Sequence, residues 1–119
     1  MARVLVIDDR KDIRSAFLMA LDIYGYEASA VEDTIQADKA LANTSFDYIV
    51  TDLQLPNETG LSFLKRIREG QNNIPAVLFS GSITPEVISE LNGLENVQAV
   101  GKEQGVLVVI DKMKQALKE

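Results

Sequence analysis

The 119-residue chain contains no cysteine and no histidine. These absences exclude a disulfide framework, a thiolate zinc site, a cysteine or histidine nucleophile, a histidine general base and an imidazole metal ligand. Any chemistry must therefore use carboxylates, hydroxyls, lysine or a bound cation. Basic charge is also scarce: 12 Lys and Arg stand against 18 Asp and Glu, for a formal net charge of -6. No basic stripe could neutralise a run of phosphates, which argues against direct nucleic-acid binding. No apolar run approaches the roughly 20 residues that a bilayer span requires. Met1-Ala2-Arg3 leads straight into a strand-like run rather than a secretion signal, so the expected compartment is the cytoplasm, with no membrane partner. What remains, 46% apolar and 25% charged residues, is the balance of a globular protein whose length suits one domain over residues 1–119.

Short β-branched runs alternate with amphipathic stretches along the chain, with no low-complexity linker and no internal repeat. Val4-Leu5-Val6-Ile7 is a continuous apolar run of the kind buried on both faces of a parallel sheet, and it stops at Asp8-Asp9. Ile13, Ala16, Phe17, Ala20, Leu21 and Tyr24 then recur at helical spacing, and Gly25 ends that helix. A weaker strand is expected around Tyr26 to Val31. Asp33 and Gln36 have the spacing of a capping box before a second helix whose apolar face is Ile35, Ala37, Ala40 and Leu41. Tyr48-Ile49-Val50 is the third strand, delivering Thr51-Asp52 to its end, and Leu53 to Thr59 is a loop. Gly60 to Arg68 reads as a third helix with Leu61, Leu64 and Ile67 inward, closed by Gly70. Pro75 to Phe79 is a fourth strand ending at Ser80-Gly81, and Thr84-Pro85 starts a short helix running to about Leu91. Val97 to Val100 is the fifth strand, with Gly101-Lys102 just beyond. Val106 to Ile110 alone fits a strand or a helix, but Met113, Ala116 and Leu117 continue it at helical spacing, which favours a final helix. Phe17, Phe63 and Phe79 read as core, as does Val106 to Ile110.

Five strands, each followed by a helix and joined by right-handed crossovers, predict an α/β fold. Its core is a five-stranded parallel sheet in the flavodoxin-like order 2-1-3-4-5 with helices on both faces. Ligands of such sheets bind beyond the C-terminal strand ends, where the strand order reverses. Asp8 and Asp9, Asp52, Ser80 and Lys102 all stand at those ends. The acid pair could simply cap the first helix, a role compatible with metal binding. Three carboxylates in one crevice, however, repel one another unless a cation or a raised pKa compensates. Oxygen donors without nitrogen or sulfur suit Mg²⁺, bound by Asp8, Asp9 and Asp52. Such a site invites phosphoryl chemistry, with Asp52 as nucleophile, Lys102 as the cation on a phosphoryl oxygen and the Ser80 hydroxyl as a further donor.

The sequence resembles the receiver domain of two-component response regulators over essentially its whole length. The matching stretches are Val4-Leu5-Val6-Ile7-Asp8-Asp9, Ile49-Val50-Thr51-Asp52-Leu53-Gln54-Leu55-Pro56 with Gly60, the Ser80-Gly81 pair and Lys102. The resemblance implies a sensor histidine kinase or histidine phosphotransfer protein as phosphoryl donor, replaceable by small acyl phosphates. It also implies a Mg²⁺ requirement, the Gln54 backbone carbonyl as a further metal ligand, and an unknown downstream protein. The output it implies is a switched face made by the fourth helix, fifth strand and fifth helix, biased by a new dianion. Turnover of external substrates is not expected, although slow self-dephosphorylation is.

The chain departs from the family pattern at several positions. Ala99 stands where an aromatic usually couples to the Ser80 hydroxyl. Signalling then uses displacement of the Ser80 loop and helix alone, or the small side chain leaves a pocket for a partner. Glu103 replaces a proline after Lys102, so no cis peptide is expected there. Arg10 replaces a frequent acid, and its guanidinium could pair with Asp8 or Asp9 or reach the phosphoryl group. Ala99 and Glu103 motivate the alternative of a pseudo-receiver, a phosphorylation-independent interaction module. A flavodoxin is excluded because Asp8-Asp9 would repel a cofactor phosphate. A haloacid-dehalogenase-type phosphatase would place a second aspartate where Gln54 stands, and Gln54 cannot serve as general acid or base, which argues against turnover of external phosphoesters.

Overall fold

The computed structural model describes residues 2–119. Strands and helices alternate as the sequence predicts: β1 (Arg3–Ile7), α1 (Lys11–Ile23), β2 (Glu27–Val31), α2 (Thr34–Asn43), β3 (Tyr48–Thr51), α3 (Gly60–Glu69), β4 (Ala76–Ser80), α4 (Pro85–Leu91), β5 (Val97–Gly101) and α5 (Val106–Leu117). One 3-10 turn, Lys102–Gln104, joins β5 to α5. The strands pair in parallel in the order β2-β1-β3-β4-β5.

Strand periodicity splits the core into two layers. Leu5, Ile7, Ile49 and Leu78 face α2 and α3, with Phe63, Leu64 and Ile67 packed against them. Val4, Val6, Val50, Val77, Phe79 and Val100 face α1 and α5, meeting Phe17, Leu21, Val109, Ile110 and Met113. Each fully buried apolar side chain contributes about 1.5–3 kcal/mol, so the continuous apolar runs of β1, β3 and β4 fix these strands at the centre. Phe17 and Phe79 meet edge to face with ring centroids 5.3 Å apart. The edge strands β2 and β5 carry the exposed Glu27, Ser29 and Gln98.

Helix ends follow local chemistry. Gly25, at φ +84°, turns the chain after α1. The Thr84 hydroxyl accepts from Val87 N at 3.2 Å, with Pro85 at the first helical position. Thr59, read from sequence as the end of a loop, is the cap of α3, accepting from Ser62 N at 3.0 Å. Only half of the expected capping box forms: Asp33 accepts from Gln36 N at 2.9 Å, but the Gln36 side chain reaches Glu32 at 3.4 Å.

Three apolar assignments need correction. Ile35 is exposed, and Thr34 and Ala37 are the buried residues of α2. Ala16 and Tyr24 lie outside the buried face of α1, and Tyr24 instead carries the Lys114 ammonium 4.4 Å from its ring centroid. Within Val106–Ile110 only Val109 and Ile110 are buried, while Leu107 is exposed because it points away from the sheet at helical spacing. Among the described residues, no helix is long and apolar enough to cross a membrane.

Candidate functional site

The site forms because β1 and β3 are neighbours and end at the same level. Ile7 is in register with Thr51, and Asp52 N donates to the Ile7 carbonyl at 2.9 Å. Asp8 and Asp52 therefore leave the sheet side by side. Both are buried, whereas Asp9, one residue on, is exposed. Carboxylate oxygens of Asp8, Asp9 and Asp52 lie within 4.8 Å of one another. Ser80 ends β4 opposite Gly101 of β5, which places Lys102 at the same rim. The Lys102 ammonium bridges the two buried acids, 3.1 Å from Asp52 Oδ2 and 3.5 Å from Asp8 Oδ2.

Backbone donors complete the arrangement. Arg10 N donates to Asp8 Oδ1 at 2.9 Å, and Gln54 N lies 3.4 Å from Asp52 Oδ1. Burial nevertheless pushes the Asp8 carboxyl pKa above its ordinary value; the Asp52 charge adds to the rise, while the Arg10 N–H and Lys102 oppose it. One ammonium among three acids leaves surplus negative charge beside low-dielectric walls. The donor set is all oxygen, and this fits a hard divalent cation. Gly60 is required by close approach: a methyl group added there would collide with the Asp52 carbonyl.

Asp8, Asp9, Asp52 and Lys102 converge as the strand-end rule predicts. Ser80 is buried at its strand end, its Oγ accepting from Ser82 N at 3.2 Å. The Arg10 guanidinium does not join them. It pairs with Asp12 at 3.1 Å, both side chains exposed, because that acid in the first turn of α1 lies closer to hand than Asp8 or Asp9. Lys102 reaches Asp52 from the 3-10 turn, with Glu103 in the position after it and no cis peptide bond among the described residues.

Sequence reasoning missed two side chains at this site. Arg14 Nη1 donates to the Asp8 carbonyl at 2.9 Å, and the Thr51 hydroxyl donates to the Asp52 carbonyl at 2.9 Å. Neither left a signal in the sequence, because each side chain bonds a backbone carbonyl rather than another side chain. Away from the acids, Ala99 lines an open groove of about 430 Å³ with Ile88, Leu91, Val97 and Lys112, between α4, β5 and α5.

The profile of the response regulator receiver domain matches residues 4–114. The chain belongs to this family. Receiver domains act in two-component signalling as phosphoacceptors, not as enzymes that turn over a separate substrate. Among curated relatives, the CAI-1 autoinducer sensor kinase/phosphatase CqsS of Vibrio cholerae is 29% identical over 90 residues, which is 73% of this receiver and 13% of that protein. The phosphate regulon transcriptional regulatory protein PhoB of Pseudomonas aeruginosa is 27% identical over 92 residues, 77% of this receiver and 40% of that protein. This receiver thus spans less than half the length of either relative. Among solved structures, the receiver domain of the Francisella response regulator 1452 superposes with a TM-score of 0.89 at 25% identity, covering 99% of this chain and 98% of that one.

Proposed function

We propose that Asp52 accepts a phosphoryl group, in a Mg²⁺-dependent reaction, from a sensor histidine kinase or histidine phosphotransfer protein. The observation that carries this reading is the Lys102 ammonium held 3.1 Å from Asp52 Oδ2 beside two further carboxylates. An Asp52 carboxylate oxygen attacks phosphorus; the new O–P bond forms as the bond from phosphorus to the donor's imidazole nitrogen or acyl oxygen breaks, and the electron pair leaves with the donor. The Lys102 ammonium then transfers its attraction from Asp52 to a phosphoryl oxygen, and the Ser80 hydroxyl donates to another. Asp8, Asp9, Asp52 and the Gln54 carbonyl would hold Mg²⁺, which when bound neutralises charge on the phosphoryl oxygens. Residues 1–119 act as one cytoplasmic receiver unit without external substrate turnover, passing the signal on through a face made by α4, β5 and α5.

Intact mass after incubation with acetyl phosphate, with and without Mg²⁺, tests the reading. Gain of one phosphoryl group that needs Mg²⁺ and is lost in Asp52→Asn supports it. No gain under any metal condition sinks it and favours a second reading, motivated by Ala99, in which the unmodified surface binds a partner constitutively.

A further inference from the structure

Asp52 is held on both sides of its Cα. Its N–H donates to Ile7, its carbonyl accepts from Thr51 Oγ1 at 2.9 Å, and the next carbonyl, that of Leu53, accepts from Gly60 N at 2.9 Å. Two of these ties are backbone to backbone and depend on the fold alone. The Thr51 hydroxyl is the side-chain tie, and it is fully buried. The same carbonyl is where Gly60 comes so close that no Cβ fits. We infer that Thr51 is a positioning residue: its hydroxyl fixes the Asp52–Leu53 peptide plane, and so aims the Asp52 carboxylate at Lys102 and sets the turn that carries Gln54.

This inference rests on the reading of Asp52 as phosphoacceptor. Its physical basis is the cost of leaving a buried carbonyl without a donor. Valine matches threonine in shape but offers no O–H, so in Thr51→Val the peptide plane loses that restraint, and in-line transfer tolerates little misplacement. A hydroxyl that served stability alone would leave the folded variant's chemistry untouched. Serine restores the donor while removing only a methyl group.

The test uses wild type, Thr51→Val and Thr51→Ser well below their melting temperatures, so that all three are folded. Three quantities are measured: the rate of modification by acetyl phosphate, the affinity for Mg²⁺ by titration calorimetry, and the Asp52 ¹³Cγ resonance in metal-free protein. The expected result is a loss of about tenfold or more in rate and about threefold to tenfold in Mg²⁺ affinity for the valine variant, with a displaced Asp52 resonance. Serine should return all three close to wild type. Equal rates and affinities for wild type and valine overturn the inference, as does a serine variant that behaves like valine. Wild type that takes no phosphoryl group overturns the acceptor reading instead; the Mg²⁺ affinities and the resonance then decide on Thr51 by themselves.

Discussion

At the scale of single residues, Asp8 sets its proposed metal-holding role against stability. Burial raises its carboxyl pKa in the folded state, so the ionised form costs stability at neutral pH. That cost is fully present above the raised folded pKa and disappears as pH falls below the unfolded value, about 3.9. Asp8→Asn should therefore melt several degrees above wild type at pH 7 without added metal, and the gap should close as the pH is lowered through the raised pKa. A variant that melts below wild type at pH 7 would show that the Lys102 contact outweighs desolvation. The acids were legible in sequence because strand ends in a parallel sheet converge, so Asp8, Asp52 and Lys102 needed only their place after an apolar run. Arg10 was not, because the nearer partner Asp12 decides where its guanidinium goes. Thr51 and Arg14 were invisible for another reason: each bonds a backbone carbonyl, and no pattern of side chains records that.

At the scale of elements, three segments meet through one arginine. Arg66 of α3 pairs in bidentate fashion with Glu58, in the loop after β3, at 2.9 and 3.1 Å, and with Asp38 of α2 at 3.1 and 3.2 Å. The Arg66 bond, with smaller contributions from Thr34 and Ser62, lowers the Glu58 pKa, against desolvation that raises it. A depressed folded pKa means stability present above the unfolded value, about 4.3, and lost as pH falls through the folded one. The pairs are partly solvated, which limits their worth to about 1 kcal/mol in total. Arg66→Met should cost about that much in urea denaturation at pH 7, and the difference from wild type should shrink as pH falls through the depressed folded pKa of Glu58. An equal difference at acid pH would assign the loss to packing on Phe63, whose ring centroid lies 5.3 Å from the guanidinium. The elements themselves were legible because strands and amphipathic helices differ in period. The inward face of α2 was not: its alanine-rich sequence gives a weak apolar stripe, so Ile35 looked buried when Thr34 was.

At the scale of the whole molecule, the proposed phosphorylation of Asp52 requires that a charge change there reach α4, β5 and α5 without an aromatic at position 99. The route that the structure offers starts at Ser80, which lies at the end of β4 and accepts from Ser82 N, at the head of the loop into α4. Helix α4 is lightly anchored: it has seven residues, fully buries only Leu91, rests Val87 against the same core and is tied to α3 by the exposed Lys65–Glu90 pair at 3.0 Å. A hydroxyl drawn toward new negative charge pulls on the loop, and a helix held this weakly can follow, since exposed ion pairs contribute about 0–1 kcal/mol. The groove beside Ala99 gives the Ile88 and Leu91 side of α4 room to move. Backbone amide shifts on adding a Mg²⁺–beryllofluoride mimic of the phosphoryl group should then extend from Ser80 through Leu91 and into β5. They should be abolished in Asp52→Asn and strongly reduced between Thr84 and Leu91 in Ser80→Ala. Shifts confined to Asp8, Asp9, Asp52 and Lys102 would mean that the modified site does not communicate with α4, because no side chain spans the space an aromatic would fill.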